Sequence, residues 1–357
     1  MQSREFSDLL SDWWRIHKRL NLPWKTSKDP YVVWLSEVIL QQTRVVQGSP
    51  YFLRFYTKFP TVFSLAEAPL DEVIKSWEGL GYYSRVRNLH ATAQKIVNTY
   101  KGVFPQSYNE LLKLKGIGPY TAAAIASFSF GLPYPVVDGN VIRLISRILG
   151  ITEPVDRPEV KRRIQSFVEQ AIRCMDAADF NQAIMDAGAT MCTPARPACT
   201  QCPFQEHCHA HLRDIKDRIP VKAPKAALKR RYFHYFDIWL PNTKTLIHQR
   251  QTGDIWSMLY EFPMLASDHH SPLEIDEIVS FLKNVLISET WADVSCSLAC
   301  VKKQKLTHQD IQAHIYRVDM GHMAEQIKPG FYLVDREKVS NFAFPKLLSD
   351  YIKAADF

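Results

Sequence analysis

The chain has 357 residues, 46% hydrophobic and 23% charged, the balance of a folded globular protein with room for two cores. No run approaches the roughly 18 apolar residues of a membrane span, and the acid-bearing N-terminus MQSREFSDLLSDWW lacks a basic-then-apolar leader. The net charge of +7 is uneven: residues 1–231 hold 32 Lys and Arg against 21 Asp and Glu, residues 232–357 only 12 against 16. A soluble intracellular protein is expected, and the basic first part suits a polyanion.

Up to residue 215 apolar positions recur at spacings of three and four, in FSDLLSDWWRI, PYVVWLSEVIL, LDEVIKSW, RNLHATAQKIV and FVEQAI, so an all-α domain is expected over 1–215. In the second of these segments Glu37 has Val33, Trp34, Val38 and Leu40 around it. A carboxyl held among apolar side chains favours its neutral form, as a general acid needs. The plainer reading puts Glu37 on a polar helix face beside Ser36 and Arg44.

Further along, LKGIGPYTAAAIASF (residues 114–128) sets a Gly-Ile-Gly turn before an Ala-rich helix, with Pro119 fit for its first turn. Free amides at such a helix start, together with the helix dipole, can hold an anion, although an ordinary helix connection fits equally. In PYPVVDGNVIRL (133–144) Asp138 precedes a Gly-Asn turn and suits an N-cap, a role compatible with a charged carboxylate in a site.

Residues 192–208 read CTPARPACTQCPFQEHC, placing Cys192, Cys199, Cys202 and Cys208 in a Cys-x6-Cys-x2-Cys-x5-Cys spacing. Four thiols so close in an intracellular chain argue for a metal centre rather than disulfides. Zinc usually takes two short knuckles and only one is present, so the uneven spacing suits a [4Fe–4S] cluster better. A basic linker follows over 216–231. Over 232–357 the pattern changes to strands (YFHYFDIWL, TLIHQR, HIYRVDM, GFYLV) with one helix near PLEIDEIVSFLKNVL, a smaller α+β domain.

Taken in order, GIGPY, VDGNVIR and the cysteine spacing resemble the helix-hairpin-helix DNA glycosylases that carry an iron–sulfur cluster. LPWK, DPYVVWLSEVILQQTRV, EGLGYYSRVRNLH and YEFP look like the adenine DNA glycosylase (MutY) family, densely over 22–208 and thinly beyond. That resemblance implies a mainly α glycosylase domain with a cluster loop at 192–208, then a MutT-like (Nudix-like) domain that reads the base opposite adenine. It implies a cytoplasmic, monomeric enzyme on the bacterial nucleoid, acting on duplex DNA with adenine opposite 8-oxoguanine or guanine.

The same resemblance assigns site residues. Amides around Gly116 and Gly118 would meet a DNA phosphate. Glu37 would protonate the leaving adenine, while Asp138, with Tyr120 and Asn140, would stabilise the sugar cation. Bifunctional relatives such as endonuclease III carry a lysine where Tyr120 stands, and tyrosine forms no imine, so base removal without strong strand cleavage follows. Gln42 and Tyr82 match positions that wedge the base stack. The C-terminal domain lacks the acidic box of pyrophosphate-cleaving relatives; its nearest acidic run, at 274–277, has neither the arginine nor the spacing. Thr307 and His308 match a Phe-Ser-His turn, with Leu306 replacing the aromatic, and Lys25 replaces an arginine. Both replacements are expected to weaken discrimination for oxidised guanine. An endonuclease III-like enzyme and a catalytically silent DNA binder are the competing readings, disfavoured by Tyr120 and by the Glu37–Asp138 pair respectively.

Overall fold

Residues 31–39 of the helix Pro30–Leu40 are all buried. The helix starts at Asp29, whose carboxylate accepts from the Tyr31 amide at 2.8 Å, with Pro30 in the first turn. A helix apolar on every side belongs at the centre of a domain. Its neighbour, Pro119–Phe130, is buried from Thr121 to Ser127. Ala122, Ala123, Ala124 and Ala126 keep that surface thin, so the two helices pack closely. Glu37 therefore has no polar helix face to occupy.

The computed structural model describes residues 1–357 apart from 20, 225–226, 288–290, 292–293, 322–325 and 356–357. It contains two compact units, Met1–Ala68 with Arg87–Pro224, and Pro69–Val86 with Lys225–Phe357. In the first unit, Phe6, Leu10 and Trp14 of the helix Ser3–His17 enter a core with Val141, Leu144 and Ile148 of the helix Gly139–Leu149. The helices Pro158–Ala171 and Ala177–Asp186 close it. Phe204, from the cysteine-rich loop, is fully buried there and stacks on Phe6 at 4.8 Å.

One buried amide fixes the extended segment between two of these helices. Asn181 donates to Ser127 Oγ at 2.8 Å and to the Tyr134 carbonyl at 2.9 Å, and accepts from the Val136 amide at 2.9 Å. Residues 132–138 are thereby held to the Ala-rich helix, and Asp138 arrives at a set position.

The second unit is built on a four-stranded mixed sheet in the order Met264–Ser267, Lys229–Trp239, Gln309–Met320, Val294–Lys305. A three-stranded sheet orders Tyr260–Glu261, Lys244–Gln249 and Phe331–Asp335. The helices Ile275–Leu282 and Lys346–Ala354 cover the cores. The division read from sequence kept residues 69–86 among the helices, whereas here they group with the sheets. Tyr260 donates to Asp71 at 3.2 Å, Lys75 to the Phe342 carbonyl at 2.9 Å, and the Phe344 amide to Glu78 at 3.2 Å. No helix among the described residues is long and apolar enough to cross a membrane.

Asp237 is fully buried and accepts from Arg336, from the Tyr351 hydroxyl at 2.9 Å and from Trp239 Nε1 at 3.0 Å. Removing the carboxylate leaves a buried guanidinium without its counter-charge. Asp237→Ala is expected to lower unfolding stability by about 3–5 kcal/mol in urea denaturation followed by circular dichroism.

Candidate active site

A cavity of about 530 Å³ opens in the first unit, and its wall includes Glu37, Tyr120, Asp138, Asn140, Lys25 and Gln42. These six residues come from four stretches of chain, around 25, 37–42, 120 and 138–140, so spacing along the chain hides their proximity. Glu37 is 8% exposed. Burial pushes its carboxyl up to about 7; a hydrogen bond from Tyr120 opposes the shift, the charge of Asp138 adds to it, and Lys25 opposes it. The Tyr120 phenol is held well above its usual range, chiefly by burial and then by the two carboxylates.

Asp138 is both N-cap and cavity residue. Its Oδ1 accepts from the Asn140 and Val141 amides, each at 2.8 Å, and its Oδ2 from Asn140 Nδ2 at 2.7 Å. All three of these hydrogen bonds are donated to the carboxylate. Two carboxyls thus share one cavity in unlike surroundings, Glu37 among apolar side chains and Asp138 among donors.

Lys25 lies inside the cavity wall. Its Nζ sits 2.6 and 2.8 Å from the oxygens of Asp186, and Arg19 donates to the same carboxylate at 2.5 and 2.9 Å. Burial lowers the Lys25 ammonium and Asp186 counteracts it. Sequence reasoning missed Asp186. A signal was available, because an aspartate in the last turn of a helix faces an unfavourable dipole and needs a cation.

Also missed were Arg143 and Arg147, one turn apart on the helix that Asp138 caps. Arg143 donates to Asn140 Oδ1 at 2.9 Å, to the Gly188 carbonyl at 2.6 Å and to the Cys192 carbonyl at 2.7 Å. Arg147 donates to the carbonyls of Thr193 and Pro194 at 2.8 and 2.9 Å, with Nη1 3.4 Å from Cys192 Sγ. Cys192, Cys199, Cys202 and Cys208 line one small cavity beside them. Among the described residues no three His, Cys, Asp or Glu side chains close on a point that would hold a single metal ion. Burial pushes the Cys202 thiol up to about 12, so thiolates here require compensating positive charge. Four sulfurs lining a shared space, with a guanidinium against one of them, are a donor set compatible with a multi-iron cluster.

Gly116 takes a φ of +79°, and a Cβ there would lie 2.6 Å from Asn88 Cβ, so only glycine fits. Gly118, the N-cap of Pro119–Phe130, differs: its φ is −89° and a Cβ would meet no protein atom within 4 Å. No side chain caps that helix start, which leaves its amides directed outward. Gln42, exposed at the cavity rim, holds a φ of +57°, an unusual conformation for a residue other than glycine.

In the second unit Tyr82 is likewise left-handed, φ +51°, and 46% exposed, with Arg85 over its ring at 5.1 Å. Its hydroxyl is 3.0 Å from Thr307 Oγ1. Thr307 and His308 are the exposed tip of the turn joining Val294–Lys305 to Gln309–Met320, closed by Leu306 N–H to the Gln309 carbonyl at 2.8 Å. Leu306 turns inward against the core of Phe233, Ile311 and Leu348. The acidic run at 274–277 forms a capping box, with Glu277 accepting from the Glu274 amide at 2.9 Å. Glu261 of the YEFP motif is a buried partner of Arg250, both oxygens at 2.8 Å.

Residues 35–170 match the family model of the HhH-GPD superfamily base excision DNA repair protein, and residues 234–354 match the NUDIX domain. The adenine DNA glycosylase of Buchnera aphidicola subsp. Acyrthosiphon pisum is 35% identical over 272 residues, 76% of this chain and 77% of that protein. The human adenine DNA glycosylase is 41% identical over 223 residues, 60% of this chain and 41% of its own length. Among solved structures, a thermostable thymine-DNA glycosylase superposes with a TM-score of 0.54 at 26% identity, covering 59% of this chain and 97% of that one. An endonuclease III–DNA complex shares the fold, with a TM-score of 0.51 at 20% identity over 60% of this chain and 99% of that one. The helical unit, the Nudix-like unit and a relative aligned over three quarters of both chains agree: the chain belongs to the adenine DNA glycosylases, enzymes of base excision repair.

Proposed function

We propose that this enzyme removes adenine mispaired with 8-oxoguanine, or with guanine, from duplex DNA by hydrolysing the N-glycosidic bond and leaving the strand uncut. The observation that carries the chemistry is the single cavity shared by Glu37 and Asp138, one carboxyl shifted to about 7 by burial and the other ringed by donors. Glycoside cleavage needs one protonated and one ionised carboxyl.

A flipped adenine enters the cavity. Glu37 donates its proton to a ring nitrogen of the base, which draws electrons from the glycosidic bond. As that bond breaks, the Asp138 carboxylate stabilises the cation at the sugar carbon, and Asn140 keeps the carboxylate aimed. Tyr120 holds Glu37 through its hydroxyl and offers no amine for an imine, so the strand stays intact. Water adds to the sugar carbon, Glu37 takes its proton, and an abasic site remains.

Outside the cavity, the helix start at Gly118 would take a backbone phosphate, which accounts for a glycine that nothing in the protein requires. Gln42 and Tyr82 would fill the stack, their strained backbones being a frequent mark of functional positions. Thr307 and His308 would read the base opposite adenine. Cys192, Cys199, Cys202 and Cys208 would hold a [4Fe–4S] cluster, which with all four ligand positions filled would supply a structural clamp.

Glu37→Gln is expected to slow single-turnover adenine release by about 10²–10⁴-fold, and near-normal release would sink the assignment. Because the protonated carboxyl is the competent form, the wild-type rate should be highest at acidic pH and decline as pH rises through about 7. A flat profile between pH 6 and 8 (about one unit either side of that value) contradicts the role. Gly118→Ala should keep the melting temperature yet weaken duplex binding, whereas Gly116→Ala should lower the melting temperature itself. Thermal scans beside binding titrations separate the two.

A further inference from the structure

The end of the four-stranded sheet that carries the Thr307–His308 tip gathers cations on one face. Arg230 is opposite Asp310, and Asp310 is opposite Lys305. Two residues along, Tyr232 is opposite Gln312, and Gln312 opposite Lys303. Cross-strand partners point to the same side, and residues two apart on a strand share that side. Arg230, Lys303 and Lys305 therefore occupy one face over two rows, with Asp310 the one acid between them. All three are exposed.

Several cations elsewhere in this unit have acidic partners. Lys244 and Lys338 share Asp335, Arg250 takes Glu261, Arg231 takes Asp254, Arg336 takes Asp237, Arg317 takes Asp319, and Lys346 takes Asp350. Among the described residues no ion pair reaches Arg230, Lys303 or Lys305. Over the whole unit, Pro69–Val86 with Lys225–Phe357, 18 Lys and Arg nearly balance 19 Asp and Glu, so three cations around one acid are a local excess of positive charge. It is also fixed to the reading turn: the Lys229 amide donates to the His308 carbonyl at 3.1 Å, and Lys305 is the last residue of the strand before Leu306.

We propose that Arg230, Lys303 and Lys305 form a phosphate grip, binding the backbone of the duplex strand whose base the Thr307–His308 tip reads. The grip rests on the function proposed above. It supplies affinity independent of sequence and lesion, while the tip supplies discrimination. Flexible exposed lysines with no hydrogen-bonded partner suit a charged backbone and carry no base-reading geometry.

The test is a salt titration of binding by fluorescence anisotropy, using one duplex with adenine opposite 8-oxoguanine and the same duplex undamaged. Removing one cation from the phosphate backbone should reduce the slope of log affinity against log salt by about 1. The Arg230→Gln/Lys303→Gln/Lys305→Gln variant is expected to reduce that slope by about 3 and to weaken both duplexes by the same factor; each single variant should reduce it by about 1. Lys283→Gln, an exposed lysine elsewhere on the unit, should leave the slope where it was. An unchanged slope, a weakening confined to the 8-oxoguanine duplex, or an equal reduction in Lys283→Gln would each overturn the grip. Wild-type adenine release, measured on the same duplex, is a separate readout: its absence would refute the proposed function while the slopes still judge the grip.

Discussion

A carboxyl group buried in a helix with no polar side is the constraint on which the rest of the first unit depends. Glu37 can stand among Val33, Trp34 and Val38 only because the Pro30–Leu40 helix is enclosed along its length, and the Ala-rich partner helix is what allows so close an enclosure. Tyr120 is set on the same Ala-rich helix, one residue past its start. The element that desolvates the acid therefore also brings the group that orients it. Asp138 is positioned through Asn181, which ties its extended segment to Ser127 of that same helix. One helix thus supports both carboxyls, which meet different partners in one space.

The helices of the first unit were legible because long stretches keep a period near 3.6, and the four cysteines that the spacing set together do line one small cavity. Sequence alone left Glu37 between a polar face and an apolar pocket, since its own helix reads as apolar with a few polar residues whichever side is central. Only the partner helix decides. Asp186, Arg143 and Arg147 went unnoticed for a related reason: each is a charged residue in an amphipathic stretch, where a solvated face is the ordinary expectation. Their burial, 0%, 9% and 3% exposed, comes from contacts with residues more than forty positions away in sequence.

In the second unit the apolar strands stood out and the edge strand did not. Val294–Lys305 is an edge strand with exposed residues along most of its length and a bulge near Leu298, so its sequence carries no clean alternation. The final helix, Lys346–Ala354, was likewise unread. Residues 69–86 show a different limit. Their helical pattern was read correctly, but periodicity says nothing about which unit a helix joins, and here the segment is tied to the second unit by hydrogen bonds that include those to Tyr260, Phe342 and Phe344.

Leu306 closes the turn between Val294–Lys305 and Gln309–Met320 yet faces the core with Phe233 and Ile311, while the two residues after it face solvent. An exchange of side-chain size at that position is therefore a matter of interior volume. A bulkier ring would lift or tilt the tip as a rigid piece, altering how far the threonine hydroxyl and the imidazole reach without altering what they are.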